Sequence, residues 1–173
     1  VFLKGCPLRC WWCHHPEGQA LQPELTYRPG KCLKDCADCV DACPNAAISQ
    51  GKNGIEIDRE SCRLTGECVK ACPTDALHMS GRTMTTREVM DEILKDRIFY
   101  ENSGGGVTFS GGEPLIQLDF LESLLLKCQK EEIHRIVDTS GYVPFKTFEK
   151  IIDKVNLFFY DLKVMDDAKH RET

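Results

Sequence analysis

The sequence predicts an α/β fold in which helices cover a parallel sheet and a small cysteine-rich domain interrupts the chain near its start. Two observations predict it. After residue 80, short apolar runs alternate with amphipathic stretches of helical length, a rhythm typical of strands joined by crossover helices. Ten of the eleven cysteines lie before residue 73, in tight groups. We therefore expect the sheet to be built from residues 1–28 and 81–173, with residues 29–80 inserted as a separate domain.

The predicted elements that precede the main helices are short. Residues 1–3 are apolar and predict a strand that leads into the first cysteine. Residues 19–29 are polar and contain proline, which predicts a connector. In the inserted segment, Ile48 and the apolar/polar alternation of residues 54–58 predict two short strands.

The first long helix is predicted after residue 81. Thr85 and Glu88 stand three positions apart, as in a capping box, so we expect the helix to begin there. The glycines at residues 104–106 predict its end. The apolar residues that recur at helical spacing behind the cap are Val89, Ile93, Leu94 and Ile98.

Three strands and two helices complete the predicted alternation. Apolar runs predict the strands, at residues 107–109, 136–137 and 157–160. One helix is predicted over residues 118–130, and Pro144 predicts the start of another that ends near Ile152. The residues of the longer helix that we expect in the core are Leu121, Leu124, Leu125 and Cys128.

Charge, hydropathy and cysteine number exclude several classes of protein. The net charge is −5 and no basic block is present, so we expect no nucleic-acid partner. Apolar runs are short, which predicts no transmembrane helix and no membrane partner, and no signal peptide is visible. An odd number of cysteines argues against a disulfide framework, whereas tight groups are typical of metal sites in a reducing compartment. The predicted location is the cytoplasm.

The clearest motif is C-x3-C-x2-C, formed by Cys6, Cys10 and Cys13 directly after the first apolar run. An iron–sulfur cluster that receives only three thiolates leaves one iron without a protein ligand, and metal sites with an open position are typical of catalysis. If the three cysteines hold such a cluster, the motif predicts an enzyme. A zinc site with His14 or His15 as the fourth ligand is the alternative.

The inserted segment contains two similar cysteine groups, each ending in Cys-Pro. The cysteines of the first group are Cys32, Cys36, Cys39 and Cys43, and those of the second are Cys62, Cys68 and Cys72. This internal repeat resembles the bacterial ferredoxin run, in which the cysteine before the proline ligates the cluster of the other half.

The ferredoxin resemblance implies two sets of cluster ligands. The residues of the first 4Fe-4S set would be Cys32, Cys36, Cys39 and Cys72. The residues of the second set would be Cys43, Cys62 and Cys68. Thr65 stands where the pattern expects another cysteine, which leaves four alternatives for the second cluster: a missing ligand, an oxygen ligand, a three-iron species or a labile cluster.

Polar motifs follow each of the predicted strands of the main sheet. These motifs are Cys6, residues 111–113, residues 138–139, and Asp161 with Lys163. Because ligand groups gather at the carboxyl ends of parallel strands, we expect these residues to face one common mouth.

Four segments together resemble a known family. They are residues 1–13, 108–115, 138–142 and 160–166. The chain looks like the glycyl radical enzyme activating enzymes of the radical S-adenosylmethionine (SAM) superfamily, in the subgroup with a two-cluster ferredoxin-like insertion. The resemblance implies a (β/α)6-type barrel. We expect the chain to hold an incomplete part of it, since four barrel strands are predicted and the sequence stops in a loop at residues 170–173.

The resemblance also implies a reaction and its partners. An electron donor such as flavodoxin or ferredoxin feeds the inserted clusters, which relay the electron to the cluster of the three-cysteine motif. That cluster cleaves SAM to methionine and a 5'-deoxyadenosyl radical, which removes hydrogen from a backbone glycine of a partner glycyl radical enzyme. The cofactors carry the chemistry, and the protein supplies position and exclusion of water.

Specific roles follow from the resemblance for the first two motifs. It implies that Cys6, Cys10 and Cys13 hold the catalytic cluster, whose fourth iron binds the amino and carboxylate groups of SAM. Gly111 and Gly112 would let the backbone approach the methionine part of SAM, where a Cβ atom would intrude.

The remaining motifs have implied roles around SAM. Glu113 would accept a hydrogen bond from its ammonium group. Asp138, Thr139 and Asp161 match positions that hold a monovalent cation in related activating enzymes, and oxygen ligands suit such an ion. Lys163 matches a residue near SAM, where an ammonium group can pair with the carboxylate.

One departure and two competing functions accompany the resemblance. His15 stands before Pro16, where the family commonly has an asparagine that contacts SAM, so it either replaces that donor or fills space. One competing function is a radical SAM enzyme that acts on a different substrate. The other is an iron–sulfur electron carrier without SAM chemistry.

Overall fold

The computed structural model describes residues 1–171, so the predicted loop at residues 170–173 lies partly outside the described residues. The chain forms two compact units. Residues 1–22 and 83–171 make the first, and residues 23–82 make the second. The second unit is therefore longer at both ends than the predicted segment 29–80.

Within residues 1–171, the strands are β1 (Phe2–Leu3), β2 (Glu24–Tyr27), β3 (Ile48–Gly51), β4 (Gly54–Ile57), β5 (Leu77–Ser80), β6 (Gly106–Gly111), β7 (His134–Thr139) and β8 (Leu157–Tyr160). The α-helices are α1 (Asp38–Asp41), α2 (Glu67–Ala71), α3 (Thr86–Ile93), α4 (Arg97–Ser103), α5 (Leu118–Lys130), α6 (Phe145–Glu149) and α7 (Asp167–His170). None of the helices described combines the length and the hydropathy needed to cross a bilayer.

A parallel sheet organises the first unit, which confirms the predicted α/β class. Its strand order is β1-β6-β7-β8, and every neighbouring pair is parallel. Leu3 pairs with Gly111, and Thr139 pairs with Tyr160. These residues are at the ends of their strands, so the loops that follow β1, β6, β7 and β8 all leave the sheet at the same edge.

Helix α5 supplies much of the core of the first unit. Its four predicted inward residues are fully buried, which confirms the pattern: Leu121, Leu124, Leu125 and Cys128. They recur at positions i, i+3, i+4 and i+7, which form one stripe on a helix. Burial of a leucine side chain of this size stabilises a fold by about 1.5–3 kcal/mol, so this stripe anchors the helix on the sheet.

The capping box of α3 is confirmed, but the helix behind it is interrupted. Thr85 Oγ1 accepts a hydrogen bond from the Glu88 amide at 3.2 Å, and the Thr85 amide donates to Glu88 Oε2 at 2.7 Å. A 3-10 turn follows Ile93 before α4 begins. This tighter turn shifts the helical phase, so the inclusion of Ile98 in the apolar stripe is wrong: its side chain is exposed.

The helix predicted from Pro144 to Ile152 is shorter than expected. Pro144 is the N-cap residue of α6, and α6 ends at Glu149. A 3-10 turn over Ile152–Lys154 follows. Ile151, which lies between the two, is fully buried and holds this segment against the core.

The second unit contains two small antiparallel sheets. The strands predicted at Ile48 and residues 54–58 form the hairpin β3–β4. The connector predicted over residues 19–29 is wrong in part, because Glu24–Tyr27 is strand β2 and pairs with β5. Leu25 is buried at 2% exposure. The paired residues are 50 to 56 positions apart, from Tyr27–Leu77 to Glu24–Ser80, so this pairing leaves no local pattern in the sequence.

Candidate functional site

The cysteine loop after β1 is held by backbone hydrogen bonds at its base. The Gly5 amide donates to Gly18 O at 2.8 Å, and the Cys6 amide donates to Gln19 O at 2.9 Å. Arg9 Nη1 donates to Cys6 O at 2.8 Å. These bonds close the loop on itself directly at the end of the strand.

A cavity of about 340 Å³ opens at this edge of the sheet. It brings together ten residues singled out from the sequence: Cys6, Cys10, Cys13, His14, His15, Gly111, Gly112, Asp138, Asp161 and Lys163. Glu113 and Thr139 are outside its lining. Lining residues that the sequence analysis missed include Trp12, Gln19, Ser110 and Ser140. Their position beside the singled-out motifs is the one signal that could have found the two serines.

Gly111 and Gly112 are required by the protein's own backbone. A Cβ atom at Gly111, whose φ is +120°, would lie 2.2 Å from Leu3 O, and one at Gly112 would lie 2.3 Å from Gly5 O. The Gly112 amide donates to Leu3 O at 2.8 Å. The absence of side chains thus lets the turn after β6 pack on the end of β1, and the proposed approach of a ligand to these glycines stays a prediction.

Glu113 is fully buried and its carboxylate has partners within the protein. Oε1 accepts from Thr139 Oγ1 at 2.7 Å and from the Leu115 amide at 3.1 Å. Oε2 accepts from the amide and the hydroxyl of Ser140, at 2.9 and 2.6 Å. The carboxylate therefore ties the turn after β6 to the end of β7, behind the cavity. Its role as an acceptor for a ligand stays a prediction.

The charged groups of the cavity form a small network. Lys163 Nζ donates to Asp161 Oδ2, and Ser110 Oγ donates to Asp138 Oδ2 at 2.7 Å. Burial lowers the pKa of Lys163, but the hydrogen bond to Asp161 and the negative charges of Asp161, Cys10 and Asp138 outweigh it, so the pKa is raised. The cavity consequently holds a charged ammonium group between carboxylates.

The Cys6 thiol is more shielded than an ordinary surface thiol. Burial raises the pKa of Cys6, a hydrogen bond from the Leu8 backbone opposes this rise, and the charges of Glu113, Cys10 and Cys13 add to it. A bound cation or metal cluster would reverse this effect, because positive charge stabilises thiolates.

The second unit gathers its cysteines around two separate small cavities. The cysteines that line the first are Cys32, Cys36, Cys39 and Cys72. Those that line the second are Cys43, Cys62 and Cys68, and Thr65 is beside them. These are the two groups that the ferredoxin resemblance implies, and the cysteine before each proline lies with the other repeat.

The two buried cysteines of this unit and Cys72 have shifted pKa values. Burial raises the pKa of Cys39 and of Cys68, and the neighbouring thiols of each group raise it further. Burial also raises the pKa of Cys72, but hydrogen bonds from Leu77, Thr74 and Ala76 outweigh it and lower the pKa. Donors aimed at a sulfur favour its thiolate form, which is the form that ligates metal.

Within residues 1–171, no group of three or more His, Cys, Asp or Glu side chains is arranged as a single bound ion requires. Thiolates around a four-iron cluster bind different irons and stand farther apart than the ligands of one ion. The three thiols that line the large cavity fit such a cluster by their chemistry.

Comparison with known proteins identifies the family. Residues 1–173 match the family model described as the radical SAM superfamily. The chain belongs to this superfamily. Its relatives include an isethionate sulfite-lyase activating enzyme of Oleidesulfovibrio alaskensis, 44% identical over 99% of the chain. A trans-4-hydroxy-L-proline dehydratase activating enzyme of Clostridioides difficile is 41% identical over 98%, and a benzylsuccinate synthase activating enzyme of Thauera aromatica is 42% identical over 98%.

These relatives confirm the resemblance to glycyl radical enzyme activating enzymes. The radical SAM chain spans 57%, 56% and 53% of the lengths of the three relatives.

Proposed function

We propose that the chain is part of an activating enzyme that cleaves SAM reductively and abstracts hydrogen from a backbone glycine of a partner glycyl radical enzyme. One observation carries the proposal: a single cavity gathers Cys6, Cys10 and Cys13 with Asp161 and Lys163 at the carboxyl edge of a parallel sheet. Its volume of about 340 Å³ lies in the range of small-molecule sites. The names of the relatives support the choice of a glycyl radical enzyme as partner.

Three cysteines of the cavity would hold the SAM-binding cluster. A cluster held there would supply, once reduced, the electron for the reductive cleavage of SAM. The chain's own residues bind and orient. The Lys163 ammonium pairs with the carboxylate of SAM, and Asp138 supplies negative charge for its ammonium or for a monovalent cation.

The second unit, residues 23–82, is proposed to be a ferredoxin-like electron relay inserted in the sequence of the radical SAM core. Its first cavity has the four thiols that a 4Fe-4S cluster requires, and its second cavity has three. A flavodoxin or ferredoxin is the proposed electron donor. The sheet of the first unit is proposed to be part of a (β/α)6-type barrel.

Within residues 1–171, all eleven cysteines are free thiols. Free thiols in metal-ligand groups persist in a reducing compartment, and this supports the proposed cytoplasmic location.

The decisive experiment measures SAM cleavage. The chain is reconstituted anaerobically with iron and sulfide, reduced with dithionite and mixed with SAM, and 5'-deoxyadenosine is quantified by chromatography. We expect product from the parent chain and none from Cys10→Ala. Fully loaded parent chain that forms no product would contradict the proposal.

Two further measurements separate the competing functions. An electron carrier would show no change in the electron paramagnetic resonance (EPR) spectrum of the reduced clusters when SAM is added, whereas a SAM-binding cluster would. A radical SAM enzyme with another substrate would form 5'-deoxyadenosine but no glycyl radical on any relative's partner enzyme.

A cavity variant with a matched control tests the ligand site. Lys163→Met is expected to weaken SAM binding about tenfold, since a charge-assisted pair is lost. Lys146→Met removes an exposed lysine on α6 outside the cavity and is expected to leave the affinity unchanged. Equal affinities for the two variants would remove Lys163 from the site.

A further inference from the structure

The two cysteine groups of the second unit repeat in backbone conformation as well as in sequence. Asp35 has a φ of 61° and directly precedes Cys36, whereas Leu64 has a φ of 53° and directly precedes Thr65. Residues other than glycine rarely adopt a positive φ. The positive φ recurs at matching positions, which indicates the same local turn in both cysteine groups. Thr65 therefore occupies the position in the second group that Cys36 occupies in the first.

A second pair of turns supports this alignment. Ala46 has a φ of 49° and follows Cys43 by three residues, and Asp75 has a φ of 53° and follows Cys72 by three residues. Cys36 precedes the buried cysteine of α1 by three residues, and Thr65 likewise precedes the buried cysteine of α2 by three residues. The backbone thus pairs Cys36 with Thr65 although the spacing from the first cysteine of each group differs.

The second cavity offers no fourth thiol, no carboxylate and no imidazole. Besides Cys43, Cys62 and Cys68, its lining includes Thr65, Arg63 and several apolar or neutral residues. None of these lining residues is an Asp, a Glu, a His or a fourth Cys. Cys72 lines the other cavity. The second site is therefore lined by three thiols and by neutral donors, namely the Thr65 hydroxyl, the Asn45 amide and the Met79 thioether, whereas the first has four thiols.

We infer that Thr65 makes the second site of the insertion a three-thiolate site with an exchangeable iron, whereas the first site retains all of its iron. The inference rests on the proposed ferredoxin-like relay. Thiolates are anionic, soft ligands that hold iron–sulfur clusters, whereas the threonine hydroxyl is a neutral, hard donor.

Loss of this iron is a one-electron oxidation of the cluster. A four-iron cluster of charge 2+ gives a three-iron cluster of charge 1+, one Fe²⁺ and one electron, and its four sulfides are retained. A one-electron oxidant such as ferricyanide accepts the electron. Addition of Fe²⁺ and a reductant reverses the step. The iron without a thiolate ligand at Thr65 would thus make the second cluster of the relay sensitive to oxidation.

The test requires a chain in which the three-cysteine motif is silent, because that motif also leaves an iron open. In the full chain carrying Cys6→Ala, Cys10→Ala and Cys13→Ala, reconstituted anaerobically, ferricyanide is expected to release about one iron per chain with no loss of sulfide. A low-temperature EPR signal of an oxidised three-iron cluster should appear and should vanish with Fe²⁺ and dithionite.

Three variants in this background make the assignment specific. Thr65→Cys is expected to abolish the iron loss, and Cys36→Thr is expected to add a second equivalent from the first site. Thr65→Val keeps the shape without the hydroxyl and is expected to behave as the Thr65 parent. Retention of all iron by the parent overturns the inference, and so does a lower iron content of Thr65→Val, which would mean that the hydroxyl ligates iron.

Failure of the inference can be distinguished from failure of the proposed function. Iron retained by the second site, with 5'-deoxyadenosine formed by the unmodified chain, overturns the inference alone. A triple variant that binds no cluster at all overturns the inference together with the electron relay.

Discussion

Ser140 donates two hydrogen bonds to one carboxylate oxygen of Glu113, from its amide at 2.9 Å and from its hydroxyl at 2.6 Å. Glu113 follows β6 and is fully buried, whereas Ser140 follows β7 and lines the cavity. A buried charge must be compensated by hydrogen bonds. The pair thus joins two strand ends behind the cavity and holds Ser140 at its wall.

Replacement of Glu113 by glutamine should destabilise the chain even without ligand. The amide group of Gln cannot accept all of the hydrogen bonds from Thr139 and Ser140, so we expect a loss of about 1–3 kcal/mol in the free energy of unfolding, measured by urea denaturation. Hydrogen exchange of the Ser140 amide should accelerate. Unchanged stability with loss of SAM binding would instead identify Glu113 as a direct ligand contact.

Gly112→Ala should be among the most damaging small substitutions in the first unit. The new Cβ would stand 2.3 Å from Gly5 O and 2.6 Å from Gly18 O, both of them backbone atoms that cannot swing away. We expect the free energy of unfolding of the chain without ligand to fall by about 3 kcal/mol, measured by thermal denaturation. Gly30→Ala is the matched control, since no atom beyond its two neighbours in the chain lies within 4 Å of its Cβ position. A native-like Gly112→Ala chain would show that the turn after β6 adapts.

The capping box at the start of α3 should contribute measurably to stability. Thr85→Ala removes the hydroxyl that accepts from the Glu88 amide at 3.2 Å, and we expect the free energy of unfolding to fall by about 1 kcal/mol in urea. Thr83→Ala, at an exposed residue before the helix, should change it little. Equal effects of the two substitutions would argue against the cap.

Cys128 should make stability fall at high pH. Burial raises the pKa of its thiol to about 11, whereas an unfolded cysteine titrates near about 8.5. The folded state therefore holds the proton more tightly, and this contribution is complete below pH of about 8.5 and is lost as the pH rises toward 11. The free energy of unfolding, measured by urea denaturation over this pH range, should fall less steeply with pH for Cys128→Ala than for the parent. Parallel slopes would place the thiol in contact with solvent.

Sequence reasoning succeeded where an element depends on neighbouring residues. The cap at Thr85 and the inward stripe of α5 follow from spacing along one helix, and the structure confirms both. It failed for Glu24–Tyr27, whose strand depends on a distant partner, and for Ile98, whose exposure depends on a single tight turn before α4.

The candidate site divides in the same way. The sequence by itself singled out the candidate residues of this site, because thiols, carboxylates and glycines at strand ends are readable from motif and spacing. Only the tertiary structure decided what each of them faces. It places Glu113 behind the cavity and Ser140 in its wall, and it shows that Gly112 leaves room for the carbonyl of Gly5. The physical reason is that the packing of one strand end on another is set by side chains and backbone atoms far apart in the chain, which no local pattern records.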